Sequence, residues 1–535
     1  MAVIHDYIVV GSGMTGSHAA QTLVEAGCNV LMLDVGFLED RYSKIIPEDD
    51  FLSIRASDKL QHRYFLGDSF EGIPWGDVHH ALTPPRQYIS RDVEKWLPFE
   101  STTFFPVESL CYGGRGSGWG AGCAVYPEWE LREIGLNPVE MKEAYKIIAQ
   151  RIGVSIDKDD ATPYCSSGLK SVMSAIKMDN SISQLYQTYL KHRHKLNAQG
   201  YYAGRTPVAV LTEDRPDRKK IKYKDMEFFA DHDYSVYRPW MTVDYLKIRD
   251  NFLYQDNCLV MSFNENNNHV DVHVRRVDTG EDEVFCCKNL ILASGALGTA
   301  RIVLRSFPHE VRIPVLTNPY CMVPCFHWRM LGNPLEQFKT SLGQLDMFYD
   351  EDNRHRDVRM VTFYTYRSLL LFKLVKEAPL NMADTLTIMK DLQSSLVIAT
   401  ISHPDHPSPE KYIEIVKNAN NITGDHLKVV YQLSEKENEN NAHKEKQLMR
   451  CFRKLGCYPL KKQRVKHGEN IHYAGTLPFN DQGKPYTLTD KGRLNGTENI
   501  YVADSSGFRY LPANGLTFTS MAFAHLVAQR LVTGK

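Results

Sequence analysis

The chain lacks a long apolar run. Its most apolar short stretch, Leu369-Leu370-Leu371-Phe372, is preceded by Arg367 and broken at once by Lys373, so nothing reads as a helix spanning a bilayer. It lacks an excess of either charge: 63 basic and 64 acidic residues leave a net charge of -1. Nucleic acid and anionic membrane surfaces usually call for a basic patch or surplus, and neither is expected as a partner. It lacks a disulfide framework, because its 11 cysteines are odd in number and scattered over 535 residues. Cys321 with Cys325, and Cys451 with Cys457, fit no strong zinc spacing, so no metal is expected. The start, Met1 to Val10, has neither a basic leader region nor a signal-like apolar core and enters a strand directly; cytoplasmic residence is the expectation. What is present suits a globular protein. Apolar residues make up 43% and charged residues 24%. The length exceeds one ordinary domain.

The first 34 residues carry a complete unit. Ile8-Val9-Val10 is a buried-strand signal, followed by Gly11-Ser12-Gly13-Met14-Thr15-Gly16, a GxGxxG. A helix is expected over Ser17–Ala26, then a stop at Gly27 and a second strand, Val30–Leu33, ending in Asp34. Gly11 permits the tight turn, Gly13 lets the backbone approach a pyrophosphate, and Gly16 lets the helix pack closely. The helix start offers free N–H groups and a positive dipole end to phosphates. Asp34 is placed to accept hydrogen bonds from ribose hydroxyls, which disfavours a 2′-phosphate and hence NADP. The unit alone does not separate FAD from NAD.

Three further segments accompany it. Cys258–Phe263, Val270–Val277 and Val284–Cys287 read as short strands separated by Asn266-Asn267-Asn268 and Asp278-Thr279-Gly280. Asn289 to Arg301 then reads as a buried strand, a glycine turn and a helix. Cys111 to Gly122 is too glycine-rich to fill a core, so its backbone is expected to pass close to something flat or charged. Near the end, Asn499–Asp504 is a strand ending in an acid, followed by Ser505-Ser506-Gly507 and an apolar helix over Thr519–Leu531.

Together these resemble the glucose–methanol–choline (GMC) oxidoreductases. The resemblance covers residues 1–36, about 108–126, about 255–305 and 465–535. Ala293–Arg301 is similar to the family's second signature, with Ala300 where proline is usual. The Gly113-Gly114-Arg115-Gly116-Ser117-Gly118-Trp119 loop looks like the family's flavin loop in its pyranose-oxidase version. The histidine that attaches flavin covalently in such enzymes falls at Gly118, so non-covalent FAD is implied. The resemblance implies contacts to FAD from Gly11, Ser12, Gly13, Met14, Thr15, Gly16, Asp34, Gly113, Gly114, Ser117, Trp119 and Asp504. It also brings Gly515, Leu516 and Thr517, at the start of the last helix, to the isoalloxazine.

Ile471-His472-Tyr473-Ala474-Gly475-Thr476 is similar to the family segment bearing the catalytic histidine. A histidine suits the removal of a hydroxyl proton while hydride leaves carbon, so His472 is the expected base. The family places a second polar residue before the last helix, and Asn514 is the candidate. If Thr519-Ser520-Met521-Ala522 is registered on the family's last helix, Gly515 falls at that position. Either the loop holds one extra residue or Asn514 caps the turn.

The implied fold is α/β: a Rossmann-like FAD-binding domain from 1–149, 245–305 and 465–535, and a discontinuous second domain, antiparallel sheet plus helices, from 150–244 and 306–464. Alternation in Val358–Phe363 supports strands there. Phe326, Trp328, Phe348, Tyr349, Phe363, Tyr364, Tyr366 and Phe372 fit sheet packing better than sugar stacking. Ser434–Lys446 reads as the solvated start of a helix. The expected reaction is oxidation of an alcohol, on a sugar or on an apolar alcohol such as a sterol, with dioxygen or another electron acceptor as second partner. An NAD-dependent dehydrogenase and a flavoprotein without catalysis are the rivals. Oligomeric state is not legible.

Overall fold

The computed structural model describes residues 3–72, 82–169, 172–307, 310–365, 381, 383–385, 388 and 392–534. The apolar Leu369–Phe372 stretch and the aromatic Tyr366 lie outside them.

The first unit forms as strand, helix and strand: β1 (Ile4–Val10), α1 (Met14–Glu25) and β2 (Val30–Leu33). The helix starts earlier than the sequence suggests. Gly13 stays extended, at φ -66° and ψ -172°, and Met14 already turns. β1 pairs parallel with β2, whose other edge pairs parallel with β3 (Phe252–Gln255). An antiparallel meander follows: β4 (Cys258–Glu265), β5 (Val270–Arg276) and β6 (Asp282–Leu292). The two strands expected at Val284–Cys287 and after Asn289 are one strand. β6 pairs with β5 along its first half and parallel with β1 along its second, crossing from meander to parallel sheet without a break. Helix α2 (Gly295–Ser306) leaves its end. The short β7 (Ile500–Val502) lies parallel to β6, and α3 (Thr517–Thr533) packs on α1. The seven strands run in the order β3-β2-β1-β6-β5-β4, with β7 beside β6. The strand ends of β1, β2 and β6 therefore meet α1 and α2 at one edge, where ligands bind in open parallel sheets.

A second seven-stranded sheet is antiparallel throughout and draws all its strands from 201–205, 320–364, 396–402 and 457–464. Its strands alternate: Tyr320–His327 buries every second residue. One face carries Val323, Leu345, Met347, Val361 and Phe363 against Ile182 and Leu185 of the helix Asn180–Asn197 and Leu448 and Phe452 of the helix Glu435–Lys454. The latter helix opens on a capping box, Ser434 with Glu437, which satisfies two otherwise free backbone donors. Of the aromatics expected to fill this sheet, Phe348 and Phe363 are buried and Trp328 is half exposed.

The core does not follow the division at 306. The hairpin Lys411–Lys417 with Asp425–Tyr431 joins Ile313–Pro314 and Phe99–Glu100 in a four-stranded sheet. Its Ile413, Leu427 and Val429 pack in the same cluster as β1 and α2, alongside Ile313. Their apolar side chains need a partner, and α2 supplies it. Among the described residues, no helix is long and apolar enough to cross a membrane.

Candidate functional site

A cavity of about 1080 Å³ lies between the parallel edge of the first sheet and the open face of the second. Ligand sites typically measure about 300–1,000 Å³, so there is room for a large cofactor and a small substrate together.

The glycine turn forms one wall. Gly11, Ser12, Gly13, Met14 and Thr15 line the cavity, and Gly16 stands behind them. The three glycines differ in what confines them. Gly11 takes φ +99°, a left-handed conformation that disfavours other residues. A Cβ at Gly16 would lie 1.9 Å from the Gly11 carbonyl oxygen, so α1 reaches the turn only without a side chain there. A Cβ at Gly13 would meet nothing within 4 Å and would stand in the open cavity. No side chain caps α1, and its first turn carries no acid. Its free N–H groups are left for an anion.

Asp34, at the end of β2, also lines the cavity. Its Oδ2 accepts a hydrogen bond from Ser12 Oγ and another from Tyr254 OH at 3.2 Å. Burial pushes its carboxyl up to about 6, against the pull of these two donors. Ser12 Oγ in turn accepts from the Gly113 amide at 2.8 Å, tying the second glycine loop to the first. Gly114 and Trp119 of that loop line the cavity; Gly113 and Ser117 do not. Ser117 Oγ turns inward to the Tyr112 carbonyl at 2.7 Å, and Trp119 Nε1 donates to Tyr237 O at 2.7 Å. Two buried guanidiniums fix the loop from behind: Arg86 donates to Ser117 O at 2.6 Å and Arg238 to Trp119 O at 2.7 Å. Nothing in the local sequence marked these arginines, which lie more than 25 residues from the loop on either side.

Asp504 follows β7 and lines the cavity beside α2. Its Oδ2 accepts from Thr299 Oγ1 at 2.6 Å and its Oδ1 from the Ser506 amide at 2.9 Å. Burial raises its pKa. Gly515, Leu516 and Thr517, at the uncapped start of α3, complete the wall.

His472 lines the cavity as well. Its Nδ1 lies 3.0 Å from Asn318 Oδ1. The amide of Asn318 cannot turn over, because its Nδ2 donates to the carbonyls of His403 and Pro512, both at 2.8 Å. Its oxygen therefore faces the ring, and Nδ1 must carry the proton. That leaves the Nε2 lone pair without a protein donor among the described residues. Asn470 braces the pair: its Oδ1 accepts from Thr317 Oγ1 at 2.7 Å and from the His472 amide at 3.3 Å, and its Nδ2 donates to Asn318 O. Ile471 sits at φ +60°, where a β-branched residue is strained. Arg115 Nη1 holds the Ile471 carbonyl at 3.0 Å, and the guanidinium lies 4.6 Å over the Tyr473 ring. Burial, with Arg115 nearby, lowers His472 to about 4, so the ring is neutral at ordinary pH.

Asn514 requires a correction. It is buried and absent from the cavity wall; its Nδ2 donates to Tyr164 O at 2.9 Å and its carbonyl accepts from Tyr126 OH at 3.2 Å. The residue facing His472 is Gly515, whose Cβ, if it had one, would lie 4.0 Å from His472 Cε1. Asn514 thus anchors the loop, and Gly515 is the residue beside His472. The polar partner of His472 is Asn318, from a Thr-Asn-Pro turn 154 residues away.

No protein-family model matches the chain, and a search of curated proteins found no match. The functional reading therefore stands on the geometry.

One buried ion pair supports the wall. Arg301, on α2, is 1% exposed and bonds Glu108 at 2.7 Å and the carbonyls of Leu97 and Pro98. Glu108→Ala leaves that guanidinium buried without its counter-charge. The expected loss of stability, read by urea denaturation, is about 3–5 kcal/mol.

Proposed function

We propose that the chain is an FAD-dependent oxidoreductase acting on a CH–OH group. One observation carries the reading: the GxGxxG turn, Asp34, the Gly114–Trp119 loop, Asp504, the start of α3 and His472 all line the same cavity, although they span residues 11 to 517 of the sequence. The residues fit the cofactor. A side chain at Gly13 would occupy the space a pyrophosphate needs, and the uncapped α1 favours its charge. Asp34 offers the carboxylate that a ribose hydroxyl seeks. FAD, when bound, supplies the acceptor for a hydride from the alcohol carbon.

The chain's own residues do the rest. His472, neutral and with Nδ1 protonated toward Asn318, presents Nε2 to take the hydroxyl proton. Asn318 and Asn470 keep the ring from turning. The missing side chain at Gly515 leaves room for the substrate carbon beside the ring. The free N–H groups at the start of α3 favour negative charge close by. The glycine loop and the second sheet flank the cavity.

The test is direct. Protein purified or reconstituted with FAD is mixed anaerobically with sugars and sterols, and the flavin absorbance is followed. Bleaching by an alcohol is expected. A protein that takes up no FAD, or a bound flavin that no alcohol reduces, would overturn the reading.

A further inference from the structure

The antiparallel meander brings three unlike donors to one point, away from the cavity. His269 stands just before β5, Asp271 is the second residue of that strand, and Cys286 pairs with Asp271 from β6. Asp271 Oδ1 lies at the centre of the group, 3.0 Å from His269 Nε2 and 3.3 Å from Cys286 Sγ. The three donor atoms all lie within 4.8 Å of one another. None of the three residues lines the cavity. Spacing alone does not reveal the group, because Cys286 follows Asp271 by 15 residues and meets it only through strand pairing.

These separations suit a coordination sphere. Zinc binds oxygen and imidazole nitrogen at about 2.0–2.1 Å and thiolate sulfur at about 2.3 Å; tetrahedral angles then set oxygen roughly 3.4 Å from nitrogen and roughly 3.5 Å from sulfur. The pairs around Asp271 Oδ1 need open only slightly to admit the ion. A support lies behind them. Asn266 Nδ2 donates to Asp271 Oδ2 at 2.8 Å, which turns Oδ1 toward the other two donors, and the Asn266 amide donates to the His269 carbonyl at 2.8 Å. Metal ligands are commonly oriented by such outer partners. Cys286 is buried, while the side chains of His269 and Asp271 are 32% and 27% exposed. An ion can therefore enter from solvent, and a water can take the fourth position. One sulfur, one imidazole and one carboxylate suit zinc, whereas calcium and magnesium seek oxygen alone. A thiolate and a carboxylate together balance the charge of a divalent ion.

We propose that His269, Asp271 and Cys286 bind one zinc ion. The ion replaces the Cys286 thiol proton, which passes to solvent. It clips β5 to β6 where Cys286 also pairs with Ile4 of β1, so it staples the meander to the parallel sheet. The site is independent of the alcohol-oxidation reading.

Cobalt reports thiolate ligation directly. The full chain, stripped with a chelator, is titrated with Co²⁺ and then with Zn²⁺, and the thiolate-to-cobalt charge-transfer band is followed in difference spectra, which cancel any bound flavin. One equivalent of cobalt is expected to raise the band and zinc to remove it, and zinc should raise the melting temperature of the stripped protein. Cys286→Ala should abolish the band. His269→Gln and Asp271→Asn should each weaken cobalt binding about tenfold or more, and Asn266→Ala, which removes only the outer support, by roughly 10–100-fold. His269→Gln, at a partly exposed site, carries the test if Cys286→Ala fails to fold. No thiolate band at one equivalent, a band that survives Cys286→Ala, or a cobalt affinity unchanged in both His269→Gln and Asp271→Asn would overturn the site.

Discussion

Replacing His472 with alanine should slow anaerobic flavin reduction by roughly 10²–10⁴-fold, the usual worth of a positioned general base, while the FAD content stays unchanged. The separation follows from position. His472 lines the cavity but braces none of the glycine turns, and among the described residues its ring bonds only Asn318. Asn318→Ala should give a smaller loss, because Nδ1 then has no fixed acceptor and the proton is free to sit on either nitrogen. The pH dependence has a definite sign. The base works only when neutral, and His472 is lowered to about 4. The rate should hold level through neutral pH and fall as the pH drops through about 4, and His472→Ala should remove that limb. Stability moves the same way. The unfolded ring titrates near its ordinary value of 6.5, above the folded value, so unfolding takes up a proton between the two. His472 thus makes the fold less stable as pH falls from 6.5 toward 4, as do His403 and His467, each also lowered to about 4 by burial. An unchanged rate in His472→Ala would show that another group takes the proton.

The second large effect separates two glycines only three residues apart. Gly16→Ala puts a methyl 1.9 Å from the Gly11 carbonyl oxygen. Neither backbone yields easily, since Gly11 is fixed at φ +99° between β1 and α1. Overpacking of this kind costs about 1–3 kcal/mol or more, and the melting temperature and FAD content should fall together. Gly13→Ala meets no protein atom within 4 Å. Its melting temperature without cofactor should match the parent, or exceed it slightly through the loss of unfolded-state freedom, while FAD affinity falls. Equal behaviour of the two variants in both measurements would show that no ligand occupies the space beside Gly13.

What the sequence disclosed was local. The strand–turn–helix unit at the start is written in contiguous residues, because a tight turn and a close helix approach each demand glycine at a fixed spacing. His472 stood out for the residues on either side of it. Asn318, Arg86 and Arg238 gave no such signal. Each reaches its partner through strand pairing or a loop more than 25 residues distant in sequence, and an asparagine in a loop looks the same whether or not it holds a histidine ring. Asn514 failed for a related reason. A polar residue one place from a functional register is as well used in anchoring a loop, and only the direction of its side chain tells the two apart. The packing of the 411–431 hairpin was not legible either, because strand alternation shows that a face is apolar without showing what covers it; its cover is α2.

The short strand β7 has a consequence for biosynthesis. It enters the sheet beside β6, some 210 residues after that strand has been made. As the chain leaves the ribosome, β1, α1, β2 and β6 emerge well before the segment that completes their sheet and before the helix that covers α1. Contacts of such sequence separation form slowly, and an unpaired flank of β6 is a ready template for other strands. The nascent chain therefore carries its glycine turn long before it has His472 or α3, and the flank of β6 stays open to misassembly while synthesis finishes.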